Sequence, residues 1–346
     1  MQTTAPFISI ILPCRNENRN IELCVRSILG QDSPLGGFEV IVADGMSNDG
    51  TREILQLLAV NDERLRIIDN PGCIVSTGLN AAIAAAGGTV IIRMDAHTEY
   101  ASDYIKQCVA VLQETEAANV GGPWVAKGNG LIGQTIAAAF QSPFVVGGAR
   151  AHNPGYEGVV DTVYLGCWPR ETFDRIGLFD EELVRNQDDE FNLRLTRNSG
   201  KIWQSPRIKS WYQPRESLMA LFKQYMQYGY WKVRVIQKHK IPGSVRQLIP
   251  GAFVFLLIIL PLFSLLWTYA IVAWAGLIVI YAVSSLAASL LIAYRHGYRI
   301  FPLLPFVIFL YHFGYGYGFL RGILDFVIFR CKPRVTFSTL TRNTSG

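Results

Sequence analysis

The feature that most constrains this chain is a long stretch without charge towards its C-terminal end. Residues 247–294 contain no Asp, Glu, Lys or Arg, and residues 300–320 form a second stretch of the same kind. A helix needs roughly 20 apolar residues to cross a bilayer, so the first stretch predicts a hairpin of two spans. The second predicts either a third span or an interfacial or re-entrant segment, and the sequence leaves that choice open. We therefore expect a multi-pass membrane protein.

Basic and aromatic residues are concentrated just before the first apolar stretch. Residues 207–246 hold nine Lys or Arg against one acid, Glu216, with aromatic side chains between them. This mixture is typical of helices in the lipid headgroup layer, and Lys and Arg mark the cytoplasmic side. We expect contact with lipids of the inner or plasma membrane and a cytoplasmic N-terminal domain. A nucleic-acid partner is disfavoured because the basic segment leads directly into an apolar hairpin.

The N-terminal segment and the cysteines also indicate the cytoplasm. Residues 1–18 lack the basic start and the small-residue cleavage site of a signal peptide. The six cysteines are scattered, without the spacing of a metal site or a C-x-x-C pair. Reduced thiols are therefore expected.

In the N-terminal part, short apolar strands alternate with amphipathic helices. Strand patterns occur at residues 7–13, 38–44, 65–69, 89–95 and 119–126, and helical patterns separate them. Such alternation predicts βαβ units and a mostly parallel sheet. Ligands of these sheets bind beyond the carboxyl ends of the strands.

Polar residues follow three of these strands, at residues 15–17, 44–49 and 95–97, and we call these segments the strand-end rim. Neither the glycine fingerprint of dinucleotide-binding domains nor the Walker lysine loop is present. The rim offers carboxylates instead, and acids approach the phosphates of a nucleotide only through a metal ion. This predicts a nucleotide held by its base and ribose, with a cation covering its diphosphate.

The sequence Asp-Ala-His at residues 95–97 follows the fourth strand pattern. Alternation along a strand places Asp95 and His97 on the same face. Taken alone, the two residues are either a pair of metal ligands or two solvated loop residues.

Three segments at strand ends, SIILPCRNE, VIVADGMSNDGT and RMDAH, together resemble the nucleotide-binding half of a family-2 glycosyltransferase. The resemblance covers about residues 6–240 and extends in particular to membrane-tethered exopolysaccharide enzymes of the succinoglycan-biosynthesis glucosyltransferase type. It implies an α/β fold, with a GT-A domain built on a mostly parallel sheet and followed by interfacial and transmembrane helices. The expected domains are residues 1–206 for the GT-A domain, 207–246 for interfacial helices, 247–330 for the membrane helices and 331–346 for a tail.

The resemblance also implies roles for individual residues. The resemblance places Pro13, Arg15 and Glu17 along the uridine. Asp44 would bind the uracil imide, and Asp95 would contact the ribose and the metal ion. His97 would replace the second aspartate of the family's D-x-D motif as a metal ligand. Because imidazole nitrogen suits softer ions than carboxylate oxygen does, Mn²⁺ is favoured over Mg²⁺.

Residues 179–195, FDEELVRNQDDEFNLRL, resemble the acidic segment of the same family. Alignment on LRL makes Asp188 the candidate general base, and Asp189 is its rival because a slip of one residue exchanges them. The other interpretation is a solvated helix start, where acids are favoured by the helix dipole. Attack of an acceptor hydroxyl on the donor sugar needs such a base to remove its proton.

The resemblance implies an inverting, metal-dependent glycosyltransferase that moves a sugar from a UDP-sugar donor to a lipid-linked saccharide acceptor in exopolysaccharide or cell-surface polysaccharide biosynthesis. The alternatives are a polyprenyl-phosphate sugar synthase and a non-catalytic membrane scaffold that retains the fold. Processive members carry Q-x-x-R-W where this chain has Gln227 to Trp231 with Tyr230 for the arginine, which favours transfer of a single sugar. Trp124 is either a sugar-packing or a core residue. The sequence does not indicate an oligomeric state.

Overall fold

The computed structural model describes residues 5–32 and 34–339. The chain forms two compact units. The first contains the chain up to Val125 together with Asn153–Gln213, and the second contains Ala126–His152 together with the chain from Pro214 onward. The β-sheet therefore belongs to the first unit and the long apolar helices to the second.

Strands and helices alternate through the first part of the chain, as the sequence predicts. The elements up to residue 140 are β1 Ile8–Cys14, α1 Ile21–Leu29, β2 Phe38–Asp44, α2 Thr51–Asn61, β3 Leu65–Asp69, α3 Val75–Ala85, β4 Val90–Arg93, β5 Thr98–Tyr100, α4 Tyr104–Thr115, β6 Asn119–Gly122, β7 Val125–Ala126 and α5 Gly130–Phe140. The elements that follow are α6 Pro143–Val146, β8 Gly158–Val159, β9 Tyr164–Pro169, α7 Glu171–Ile176, α8 Gln187–Arg197, β10 Ile202–Gln204, β11 Ser210–Tyr212, α9 Leu218–His239, α10 Ile249–Phe263, α11 Tyr269–His296, α12 Leu304–Gly322 and α13 Val335–Ser338.

An eight-stranded sheet in the order β3-β2-β1-β4-β9-β6-β10-β8 organises the first unit. Strands β1 to β4 run parallel, with Cys14 opposite Asp44 and Ile11 opposite Arg93. Strand β9 lies between β4 and β6 and is antiparallel to both. The α/β class with a mostly parallel sheet is confirmed, whereas the strand patterns of the sequence did not include β9.

Helix α8 is anchored to the core of the first unit. Its residues Phe191 and Leu195 are fully buried and pack in one cluster with Trp168 of β9 and Leu79 of α3. Aromatic rings fill this cluster, and Phe179 stacks on Phe191 with 4.6 Å between ring centroids. The core therefore fixes the start of α8, which holds the acidic segment.

Three helices of the described residues are long and apolar enough to cross a membrane: Val245–Phe263, Tyr269–His296 and Tyr298–Ile328. The first two correspond to the hairpin that the sequence predicts. Only 11% and 17% of their most apolar windows are buried inside the protein, against 44% for the third. Protein therefore covers much of the third segment, which is the one that the sequence left open.

Glycines bring α9 and α12 into close backbone contact. A Cβ atom added to Gly318 would overlap the carbonyl oxygen of Met226, and one added to Gly229 would overlap that of Tyr315. At Gly314 the added atom would lie 3.1 Å from the carbonyl oxygen of Phe222. Small residues at such an interface let two helix backbones approach each other. The glycines of α12 are therefore explained by packing against α9.

We expect Gly318→Leu to destabilise the protein by about 3 kcal/mol, because overpacking at a backbone contact forces the helices apart. The matched control is Gly276→Leu in α11, where an added Cβ meets nothing within 4 Å. The measurement is the free energy of unfolding in detergent, followed by tryptophan fluorescence. Equal stability of the two variants would show that α9 and α12 do not pack in this way.

The segment predicted to contain interfacial helices begins differently in the structure. Arg207 donates to Glu114 at 2.6 Å within the first unit, and strand β11 follows it. Helix α9 starts only at Leu218, where the Ser217 side chain accepts a hydrogen bond from the backbone N–H of Ala220. The helical part of this segment is therefore shorter than residues 207–246.

Trp231 and its neighbours contact residues 337–339 within the second unit. Its Nε1 donates to the carbonyl oxygen of Phe337 at 2.9 Å, and the Gln227 side chain donates to that of Thr339 at 2.7 Å. The ring of Tyr230 stacks on Phe337 with 4.0 Å between centroids. Trp231 is only 1% exposed, so its ring offers no face to a sugar chain.

Candidate active site

The carboxyl ends of β1, β2 and β4 bring the three rim segments to one edge of the sheet. The backbone N–H groups of Asn16 and Glu17 donate to the hydroxyls of Ser47 and Thr51, each at 2.8 Å. Asp49 accepts from the backbone N–H of Thr51 at 3.1 Å and fixes the start of α2. The first two rim segments therefore support each other.

Asp44 lies at the end of β2 with a fully buried side chain. Its carboxylate accepts from the backbone N–H of Ser47 at 3.3 Å and from Arg52 at 3.2 Å. Arg52 also pairs with Asp69 at 2.6 Å. The predicted contact of Asp44 with uracil therefore concerns a carboxylate that already has protein partners, and that role stays a prediction.

Arg15 extends along the rim from the end of β1, after Pro13. Its Nη1 donates to the carbonyl oxygen of Cys73 at 3.4 Å. Its Nε is buried and has no hydrogen-bond partner among the described residues. A buried donor without a partner is costly, so Arg15 brings an unsatisfied hydrogen-bond donor to the rim.

Arg93, the last residue of β4, holds Asp95 by two hydrogen bonds. Its Nε and Nη2 donate to the two carboxylate oxygens at 2.9 and 3.0 Å, and both residues are buried. Burial opposes the charge of Arg93, but the charges of Asp95 and Asp188 outweigh it and raise the pKa of the guanidinium. Arg93 therefore links the Asp-Ala-His segment electrostatically to the start of α8.

His97 faces Glu17 across the rim. Its Nδ1 lies 4.0 Å from Oε1 of Glu17. The His97 ring also packs edge-on against Tyr212 of β11, with 5.9 Å between centroids. The structure thus brings together two predicted site residues that are 80 positions apart in the sequence.

An aromatic group surrounds this part of the rim. Trp124 stacks on Tyr164 with 5.0 Å between centroids, and Tyr212 packs edge-on against both rings. Tyr100 accepts a hydrogen bond from the backbone N–H of Asp95 at 2.6 Å. Tyr100 thus holds the backbone of the Asp-Ala-His segment, and Tyr212 packs against the ring of His97.

The acidic segment forms the first turn of α8. Asp188 accepts a hydrogen bond from the backbone N–H of Asp189 at 2.9 Å. Glu190 is buried and pairs with Arg194 at 2.8 Å, which gives it a structural role. The charge of Asp188 contributes to the raised pKa of Arg93, and both Asp188 and Asp189 stay candidates for the general base.

Cysteine is not a nucleophile at this site. Burial raises the pKa of the Cys24 thiol to about 12, and the charges of Asp95 and Glu17 add to the shift. Burial also raises the pKa of Cys14, with Asp44 and Glu17 adding to it. Both thiols therefore stay protonated near neutral pH.

Sequence reasoning missed Arg93, Tyr100, Tyr164 and Tyr212. A signal was present for Arg93, because the alternation that aligns Asp95 with His97 also places residue 93 on the same face. The tyrosines come from other elements of the first unit, and their approach to the rim depends on strand pairing such as that between Tyr212 and Thr98.

The geometry and the comparisons together identify the class of protein. Residues 9–158 match the profile of the family described as Glycosyl transferase family 2. The chain is 32% identical to the succinoglycan biosynthesis protein ExoA of Rhizobium meliloti (strain 1021), over 94% of this chain and 97% of that protein. The chain belongs to glycosyltransferase family 2 and acts in polysaccharide or glycoconjugate biosynthesis.

A second relative agrees with this assignment, and a solved structure has a similar fold. The chain is 28% identical to the dolichyl N-acetyl-alpha-D-glucosaminyl phosphate 3-beta-D-2,3-diacetamido-2,3-dideoxy-beta-D-glucuronosyltransferase of Methanococcus voltae, over 92% of this chain and 97% of that enzyme. The fold of this chain is similar to that of the mannosyltransferase PcManGT from Pyrobaculum calidifontis, whose structure was solved with GDP-Man and Mn²⁺. That similarity has a TM-score of 0.59 at 18% identity and covers 92% of this chain and 88% of PcManGT. The GT-A fold is confirmed.

Proposed function

We propose that this protein is an inverting glycosyltransferase that moves a sugar from a UDP-sugar to a lipid-linked saccharide. The observation on which the proposal depends is the geometry at the strand-end rim, where Arg93 holds Asp95 by two hydrogen bonds and His97 faces Glu17 at 4.0 Å. The charge of Asp188 at the start of α8 adds to the raised pKa of Arg93. The name of the Methanococcus voltae relative describes a lipid-linked sugar phosphate as acceptor and a β-linked product, which supports the acceptor class and inversion of an α-linked donor.

The residues of this chain have separate tasks in the proposed reaction. Arg15 and Pro13 lie along the nucleotide, and the hydrogen bond from Arg15 to the carbonyl oxygen of Cys73 positions the guanidinium at the rim. The carboxylate of Asp188 takes the proton from the acceptor hydroxyl as the new C–O bond forms at the anomeric carbon. The bond from that carbon to the diphosphate breaks at the same time, and UDP leaves. Fixing two substrates in register supplies part of the rate enhancement.

A divalent cation, Mn²⁺ or Mg²⁺, is part of the proposal. Among residues 5–32 and 34–339, no three His, Cys, Asp or Glu side chains are grouped closely enough to hold an ion. One or two protein ligands together with substrate phosphates form a common cation site, so the imidazole and carboxylates of the rim fit. When bound, the ion would neutralise the charge that gathers on the leaving diphosphate.

The membrane placement follows from charge and packing. The second unit holds 16 Lys or Arg against 2 Asp or Glu, and positive charge marks the cytoplasmic side of spans. Helix α12 packs along α9, and α9 contains Lys223, Lys232 and Arg234. A transmembrane position for α12 would take these cations into the bilayer at high cost. We therefore propose a multi-pass protein with a cytoplasmic GT-A domain, whose α9 and α12 lie in the headgroup layer.

The test of the donor and acceptor is release of nucleoside diphosphate by the purified protein in detergent. It uses a panel of UDP-sugars and GDP-mannose, with and without a bacterial lipid extract and with and without Mn²⁺. We expect one UDP-sugar to give release that requires both lipid and metal. Product formation on polyprenyl phosphate alone would support the sugar-phosphate synthase, turnover of GDP-mannose would move the donor to GDP-sugars, and no turnover under any condition would favour the scaffold.

A further inference from the structure

The ion pair between Arg93 and Asp95 limits what Asp95 can bind. Both carboxylate oxygens accept from the guanidinium, and Arg93 is 7% exposed and Asp95 9%. Breaking such a pair would leave a buried charge uncompensated, which costs several kcal/mol. A cation that approached these oxygens would also meet the positive charge of Arg93. Asp95 is therefore poorly suited to ligate a divalent ion.

Glu17 and His97 have a different geometry. The 4.0 Å between His97 Nδ1 and Glu17 Oε1 exceeds the length of a hydrogen bond. Protein donors lie about 2.0–2.2 Å from a small divalent ion, so two donors on one ion are separated by up to about twice that length. The observed separation falls within this limit.

Each of these two side chains extends from a fixed backbone. The N–H of Glu17 donates to Thr51 at 2.8 Å. The carbonyl oxygen of His97 accepts from the N–H of Gln213 at 3.4 Å, and its ring packs against Tyr212. Side chains held by their surroundings form a more precise site than mobile ones.

We propose that Glu17 and His97 are the protein ligands of the divalent cation in this chain, and that Asp95 is a positioning residue held by Arg93. The inference rests on the proposed function, because the cation is the one that accompanies the donor diphosphate. A set of one imidazole nitrogen and one carboxylate oxygen favours Mn²⁺ over Mg²⁺. Glu17 thereby takes a role that the resemblance assigned to Asp95.

The experiment is electron paramagnetic resonance of Mn²⁺ with the full-length protein in detergent, in the presence of UDP and after removal of any polyhistidine tag. Loss of the free Mn²⁺ signal measures affinity, and pulsed measurements detect the ¹⁴N coupling of a ligating imidazole. We expect the coupling in the wild type and its loss in His97→Gln. Glu17→Gln should bind Mn²⁺ at least about tenfold more weakly, because even the loss of a residue that only supports a metal ligand lowers metal affinity by that factor. The matched control Glu22→Gln, an exposed acid on α1, should bind like the wild type.

The role of Asp95 is tested by Asp95→Asn and by the double variant Arg93→Met/Asp95→Leu, which removes both charges together in case the single change prevents folding. Retention of the ¹⁴N coupling and of Mn²⁺ affinity within about threefold in the folded variant supports the proposal. Absence of nitrogen coupling in the wild type, wild-type affinity in Glu17→Gln, or loss of Mn²⁺ in the double variant would overturn it.

These outcomes are distinguishable from failure of the proposed function. Sugar transfer without nitrogen coupling would remove this cation site and leave the glycosyltransferase proposal intact. Nitrogen-coupled Mn²⁺ without turnover of any UDP-sugar would keep the cation site and contradict the proposed donor.

Discussion

Replacement of Asp188 by Asn is expected to lower sugar transfer by about 100-fold or more, because a general base contributes 10²- to 10⁴-fold and an amide cannot take the proton. The loss should appear in kcat, while the affinity for UDP stays close to that of the wild type. Lipid-dependent UDP release gives kcat, and UDP binding is measured by calorimetry on the same preparations.

The control is Asp189→Asn, in the same turn of α8 and likewise half-buried. We expect it to retain activity within about tenfold, because the alignment on LRL places Asp188 at the position of the general base. A larger loss in Asp189→Asn would make Asp189 the base. Near-normal turnover in both variants would favour a phosphate acceptor, which is already deprotonated and needs no base.

Replacement of Asp325 by Asn should destabilise the second unit by about 2 kcal/mol, because the buried carboxylate loses its charge-assisted hydrogen bonds to the arginines. Asp325 is fully buried and pairs with Arg334 at 2.9 Å and with Arg321 at 3.2 Å. Tyr230 of α9 donates to the same carboxylate at 3.1 Å. One acid thus joins the end of the third apolar segment to α9 and to the C-terminal segment.

The measurement is the thermal unfolding midpoint in detergent, with Glu216→Gln as control. Glu216 is the other acid of the second unit and is exposed, so its replacement should change stability by no more than about 0.5 kcal/mol. An unfolding midpoint for Asp325→Asn within error of that control would show that this cluster does not hold the C-terminal segment.

Much of the site could be located from sequence because strand ends in a parallel sheet share one edge. The order of strand and helix patterns up to residue 126 is enough to place Glu17, Asp44 and Asp95 near each other. The order of strand and helix patterns does not predict which side chains pair with each carboxylate. Asp44 meets Arg52 and Asp95 meets Arg93, and these pairings depend on side-chain directions in the folded chain.

The third apolar segment shows a different limit. Its length and composition are those of a transmembrane helix. Composition alone does not show whether lipid or protein covers a helix. The glycines that allow contact with α9 are visible in the sequence, but their partner lies some 90 residues earlier. Only the packed structure shows that protein covers so much of this segment.

The sequence by itself determined the α/β class, the strand-end location of the candidate site, the apolar hairpin and the resemblance to family 2, because hydrophobic periodicity and local motifs are properties of neighbouring residues. The tertiary structure decided that β9 enters the sheet in antiparallel orientation, that Arg93 engages Asp95, that Glu17 faces His97 and that Trp231 is buried beside Phe337. Each of these depends on contacts between distant residues, and their free energy is set by burial and charge in the folded chain.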